Sequence, residues 1–212
     1  MDSKSTWADV IDALQLPSGC SVLEVVARGD DSLARALYHR NPTAALITLD
    51  MRAADNTGRP LAALLCEQFD PGAFHLIALR HIIADIVESA VAEQEGITPD
   101  SSAGEAQPAV MRALRAYWRS GDLENTVVPR FLDIVDACRS ALRPQGRILL
   151  AHQVLDSDLR LGHPLELYAD YIPLARRWLA EAALPLREIP LDGFDPHWWL
   201  CLQRTSAGDP RP

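Results

Sequence analysis

Four short, nearly unbroken apolar runs constrain this chain more than any other feature: Ser21 to Val26 (SVLEVV), Ala45 to Leu49 (ALITL), Phe74 to Leu79 (FHLIAL) and Arg147 to Ala151 (RILLA). Runs this short do not make self-sufficient helices, and they lack the in-and-out alternation of a strand with one wet face. They suit strands buried on both faces, as in a parallel sheet covered by helices above and below. Helical patterns lie between them. Asp31 to Arg40 (DSLARALYHR) offers Asp31 or Ser32 as N-cap, sets Leu33, Ala36 and Leu37 on one face, and stops before Asn41-Pro42. Strand, turn, helix and strand then follow one another as in an open doubly wound sheet.

The punctuation recurs downstream. Pro129 to Leu142 carries Phe131, Leu132, Val135, Cys138 and Leu142 at helical spacing and ends at the turn Arg143-Pro144-Gln145-Gly146, which feeds RILLA. Tyr171 to Ala183 reads as a helix closed by Pro185, and the runs Leu186 to Pro190 and His197 to Gln203 read as an antiparallel hairpin. Trp198 and Trp199 alternate across that last strand, so one is expected to be buried and the other to face a helix or a partner; this edge is the expected dimer contact. Gly96 to Pro108 reads as a surface loop, and Ala109 to Arg119 as a helix anchored by Tyr117 and Trp118. Together they form an insertion over 94–128. Arg52 to Pro60 is turn-like, leaving only Leu61 to Phe69 before the Phe74 run, so a strand and its helix are expected to be shortened or missing there. The expected organisation is an N-terminal helical segment over 1–18, one domain over 19–205, and a disordered tail over 206–212.

Charge narrows the function. The 212 residues carry 20 Lys+Arg against 29 Asp+Glu, a formal net charge of -9 that repels nucleic acid and anionic membrane. Cys20, Cys66, Cys138 and Cys201 are scattered, with no C-x-x-C pair and no His at ligand spacing, so neither a zinc site nor a disulfide framework is expected. The start of the chain has no apolar signal region, and no stretch approaches the roughly 18 apolar residues of a membrane span. The chain is therefore read as cytoplasmic.

Four segments, in order, resemble the class I S-adenosylmethionine-dependent methyltransferases. Ser21-Val22-Leu23-Glu24-Val25 is similar to the family's first strand, ending in an acidic residue before a glycine-rich loop. Leu49-Asp50 resembles the end of its second strand, where it keeps a carboxylate. Phe74 to His81 resembles its fourth strand and exit. Leu142 to Leu150 resembles its turn into strand five, ahead of the terminal hairpin. The resemblance implies a Rossmann-like, mostly parallel sheet with a C-terminal antiparallel hairpin, S-adenosylmethionine as cofactor, and a small-molecule substrate. The chain departs from the pattern at Val26-Ala27-Arg28-Gly29-Asp30, where a single, displaced glycine stands in the family's glycine loop.

On this resemblance Glu24, Val26, Arg28, Gly29, Asp50 and Leu79 are the cofactor-binding candidates, and His81 and His152 are the catalytic ones. Each also has an ordinary reading. Glu24 either bonds a ligand or loop amides, or is a solvated strand end. Asp50 accepts from ribose hydroxyls or opens an Asx turn. His81 either takes a proton from a nucleophile or is a helix-start histidine bonded to a neighbour such as Asp85. Arg80 either steers an acidic substrate or is a surface cation. Tyr117, Trp118, Tyr168 and Tyr171 line a lid or anchor the core. Two functions follow: a small-molecule methyltransferase, or a methyltransferase-like protein that no longer methylates and serves as a partner subunit or binds another ligand. A homodimer or a heteromeric partner fits either.

Overall fold

The computed structural model describes residues 6–26, 31–51, 59–97, 106–152 and 165–205. Along the chain run α1 (Trp7–Leu14), β1 (Ser21–Val26), α2 (Ser32–Arg40), β2 (Ala45–Asp50), α3 (Leu61–Gln68), β3 (Phe74–Arg80), α4 (Ile82–Gln94), α5 (Ala106–Ser120), α6 (Glu124–Ala141), β4 (Leu142–Ala151), α7 (Leu165–Ala182), β5 (Leu186–Ile189) and β6 (Trp199–Arg204). The strands form one six-stranded sheet in the order β2-β1-β3-β4-β6-β5. β2, β1, β3 and β4 are parallel, and β6 runs antiparallel to β4 and β5. This is the doubly wound sheet with a terminal hairpin that the apolar runs foretell.

The inner strands are apolar throughout because helices cover both of their faces. α1 and α2 pack on one face, over Val22, Leu76, Ala78 and Leu149. α3 to α7 pack on the other, over Leu23, Val25, Ile77 and Leu150. A capping box starts α1: Thr6 N–H donates to Asp9 Oδ2 at 2.8 Å, and Asp9 N–H donates to Thr6 Oγ1 at 3.3 Å. β2 is the edge strand and, unlike the other three runs, is not buried on both faces: Leu46 and Leu49 are half-buried and its other four residues exposed, with Ile47 47% exposed. Among the described residues no strand lies outside it; most of the Arg52 to Pro60 stretch, where a strand was expected to be shortened or missing, lies outside those residues.

Three boundaries differ from expectation. α6 begins at Glu124, not Pro129, and α7 at Leu165, not Tyr171, with Pro129 and Pro173 inside the helices. An internal proline disfavours a helix by about 3 kcal/mol. Burial of Val127 and Phe131 around Pro129, and of Tyr168, Tyr171 and Ile172 around Pro173, outweighs it. β4 begins at Leu142, five residues early, because the Arg143 to Gly146 turn is a bulge within the strand: Phe74 pairs with Leu142, then Leu76 with Arg147. Gln145 there has φ 61°, and a Cβ on Gly146 would lie 2.9 Å from the Arg143 carbonyl, so the bulge requires glycine. Of the two tryptophans expected to alternate, Trp199 is the buried one and Trp198 is half-buried. β6 lies between β4 and β5, and Trp199 is buried against Trp7 with ring centroids 5.1 Å apart.

All four cysteines are free; Cys20, Cys138 and Cys201 are buried and Cys66 is exposed. Burial pushes the Cys20 and Cys138 thiols up, and Cys201 to about 11. A disulfide reagent at neutral pH is expected to titrate one thiol promptly in the native protein, and all four in denaturant. Prompt reaction of more than one native thiol would contradict the burial of the other three.

Candidate functional site

The chain leaves β1 for β2 on one side and returns to β3 on the other, so the switch point of the sheet lies at the carboxyl ends of these three strands. Register brings Val26 level with both Asp50 and Arg80. Asp50 is exposed and Val26 half-buried at the mouth of this crevice. Of the cofactor-binding candidates, Arg28 and Gly29 lie outside the described residues. Leu79 is 1% exposed, packed into the core on the α3 to α7 face, where its side chain serves packing.

Glu24 meets neither of its two readings. It is 4% exposed and Arg80 is 3% exposed, and the two form a buried ion pair, Arg80 Nη1 donating to Glu24 Oε1 at 2.6 Å. The second carboxylate oxygen accepts from Thr48 Oγ1 at 3.1 Å. Arg80 Nη2 reaches Ser32 Oγ at 3.5 Å, and the guanidinium lies 5.2 Å from the centroid of the Trp7 ring. A charge taken from water must be paired and hydrogen-bonded, and these neighbours do both. Arg80 is thus no surface cation: the pair ties β1, β2 and β3 to α1 and α2 directly beneath the crevice. Charged residues in two strands that both read as doubly buried were the available signal.

The structure gathers the two catalytic candidates into one cluster. His81 caps α4 with φ 59°, a left-handed conformation that is uncommon outside glycine and concentrates at functional sites. Its N–H donates to the Ala151 carbonyl at 3.0 Å, and its carbonyl accepts from Asp85 N–H at 3.2 Å. That holds the end of β3 against the end of β4, where His152 N–H donates to the Trp198 carbonyl at 3.0 Å. The imidazoles meet edge-on with centroids 5.2 Å apart, and His152 meets Tyr168 at 4.7 Å and Tyr171 at 5.0 Å. All four rings are buried, His81 at 5% and His152 at 1% exposure. Tyr171 in turn meets Trp118 of α5 at 5.8 Å. Trp118 lines a cavity of about 200 Å³ with Val87, Leu123, Val127, Leu174 and Trp178, and with Gly121 and, at the start of α6, Glu124. Of the expected lid residues, Trp118, Tyr168 and Tyr171 therefore link the histidines to a mostly apolar pocket, while the Tyr117 hydroxyl donates to Glu95. Among the described residues no group of acidic, His and Cys side chains is arranged to hold a metal ion. No helix among them is long and apolar enough to cross a membrane.

No protein-family model matches the chain, and neither does any curated protein. Solved structures do. A release-factor-specific protein-(glutamine-N5) methyltransferase from Alicyclobacillus acidocaldarius aligns at 16% identity over 94% of this chain and 90% of its own, with TM-score 0.37. The pyocyanin biosynthetic protein PhzM aligns at 16% identity over 95% of this chain and 55% of its own, with TM-score 0.47. Human N-acetylserotonin methyltransferase, in complex with S-adenosylmethionine, aligns at 12% identity over 95% and 52%, with TM-score 0.44. The chain spans about half the length of the last two. At these identities the likeness is one of fold.

Proposed function

We propose that the chain is an S-adenosylmethionine-dependent methyltransferase acting on a small apolar molecule. The observation that carries this reading is Asp50, an exposed carboxylate at the switch point, level with the end of β1. A nucleoside needs an acceptor for its vicinal ribose hydroxyls beside a strand end it can approach, and Asp50 and Val26 fit that need. Glu24 does not, being only 4% exposed beneath the crevice. The bound cofactor would supply an activated methyl group, so the protein's task is chiefly orientation. Asp50 binds the sugar, the mostly apolar pocket beside Trp118 seats the body of the acceptor, and the paired imidazoles of His81 and His152 hold or accept its proton.

Two observations favour the non-catalytic reading, a methyltransferase-like binder or partner subunit. One is the single glycine between Val26 and Asp30; the other is that both histidines are closed off from solvent. Isothermal titration with S-adenosylmethionine and S-adenosylhomocysteine separates the readings. Saturable binding is expected, weakened about tenfold or more in Asp50→Ala through loss of hydrogen bonds to a charged acceptor. No heat at millimolar cofactor would leave only the second reading.

A further inference from the structure

The opposite end of the sheet carries a second pocket, built by different residues and independent of the reading above. The amino ends of β3 and β4, the C-terminal end of α1 and the turn that follows it form an open pocket of about 330 Å³, within the range of about 300–1,000 Å³ common for small-molecule sites. Its lining includes Arg143, Arg147 and His75 and not one acidic residue. In a chain of net charge -9 that is a marked local reversal of sign. Neither arginine makes an ion pair with a carboxylate among the described residues. The Glu and Asp side chains that pair with Arg35, Arg130, Arg139, Arg176 and others have no counterpart here.

The local backbone explains why the cations converge. Arg143 and Arg147 flank the β4 bulge, whose tight path needs Gly146. Arg147 Nη1 donates to the Leu14 carbonyl at 2.5 Å, which fixes the side chain across the mouth of the cavity and leaves most of its five N–H donors unused by that bond. His75 is oriented by β1. Ser21 N–H donates to His75 Nδ1 at 3.0 Å, and the Ser21 hydroxyl donates to the Ala73 carbonyl at 2.7 Å. A backbone N–H can only donate, so Nδ1 is the acceptor and the neutral ring carries its proton on Nε2, on the edge turned away from β1. Desolvation, and then the Arg143 charge beside it, lower the His75 pKa and favour this neutral form. A neutral Nε2–H donor beside two guanidinium groups is a set of donors without acceptors, which suits an oxyanion.

We propose that this cavity binds a phosphate group, free or carried on a small ester. Parallel sheets ordinarily bind ligands at the carboxyl ends of their strands, so occupancy here would add a second ligand at the far end of the domain. The test is isothermal titration of the whole chain with inorganic phosphate and with glycerol 3-phosphate, at ionic strength held constant with sodium chloride. Arg143→Ala removes an exposed side chain, so folding is retained, and Arg187→Ala on β5 serves as a distant control. Saturable binding is expected, weakened about tenfold by Arg143→Ala, the loss of a charge-assisted contact, and unchanged by Arg187→Ala. Tighter binding of the ester than of phosphate assigns a small ester as the ligand, and equal binding assigns free phosphate. Phosphate heats no larger than those of chloride, an unaffected Arg143→Ala, or equal losses in both variants would each overturn the proposal.

Discussion

Arg80→Met is expected to destabilise the fold by about 3–5 kcal/mol, because it leaves the Glu24 carboxylate buried with no opposing charge. The side chains of this pair are only 4% and 5% exposed. An ion pair in water behaves otherwise. Arg130 and Glu93 bond at 2.6 Å but are 41% and 63% exposed, and removing Arg130 is expected to cost about 1 kcal/mol or less. The same reasoning fixes the sign for the double variant. Replacing both charges with apolar groups of similar volume removes the unpaired charge along with its partner, so Glu24→Leu/Arg80→Met should recover most of the loss. Urea denaturation of the variants decides it. A cost for Arg80→Met no greater than that of Arg130→Met would mean that the Glu24 carboxylate reaches water.

Trp7→Ala is expected to be comparably damaging, at about 3–5 kcal/mol for truncating a buried tryptophan. Trp7 is 5% exposed, meets Trp199 edge-to-face at 5.1 Å, and stacks over the Arg80 guanidinium. It is the anchor by which α1 closes the face of the sheet that α2 covers only in part. Because Trp7 and Arg80 touch, their effects should not add. The double-variant cycle should show a coupling of about 0.5–3 kcal/mol, whereas Trp7→Ala combined with Arg130→Met should be additive. Stability within about 1 kcal/mol of the wild type after Trp7→Ala would show that α1 is an appendage to the domain.

The fold was legible where burial imposes pattern. β1, β3 and β4 are covered on both faces, so their apolar runs stand out, and the hairpin follows from spacing alone. What escaped was decided by tertiary contact. Pro129 and Pro173 signal helix starts by local rule, but buried aromatic neighbours carry α6 and α7 past them. The Arg143 to Gly146 turn has turn chemistry, yet it is absorbed as a bulge because Leu142 finds Phe74 across the sheet.

The candidate site was legible as a place more than as a set of roles. A parallel doubly wound sheet puts its crevice at the carboxyl ends of the strands, so Val26, Asp50, His81 and His152 were brought to one end by topology. Their exposure was not readable. Asp50 is open because β2 is an edge strand, whereas His81 and His152 are enclosed by Tyr168 and Tyr171, which come from a helix far along the chain. Glu24 looked like a ligand because its partner is distant in sequence. Only the register of β1 with β3 shows that the Arg80 guanidinium can reach it.

The most direct test of the crevice at β1, β2 and β3 is a two-dimensional amide NMR titration with S-adenosylhomocysteine. The largest shifts are expected at Val26, Leu49, Asp50 and His81, with Ser21, His75 and Arg147 at the far end of the sheet unmoved. Shifts confined to the far end, or none at saturating ligand, would contradict the placement of a nucleoside at the switch point.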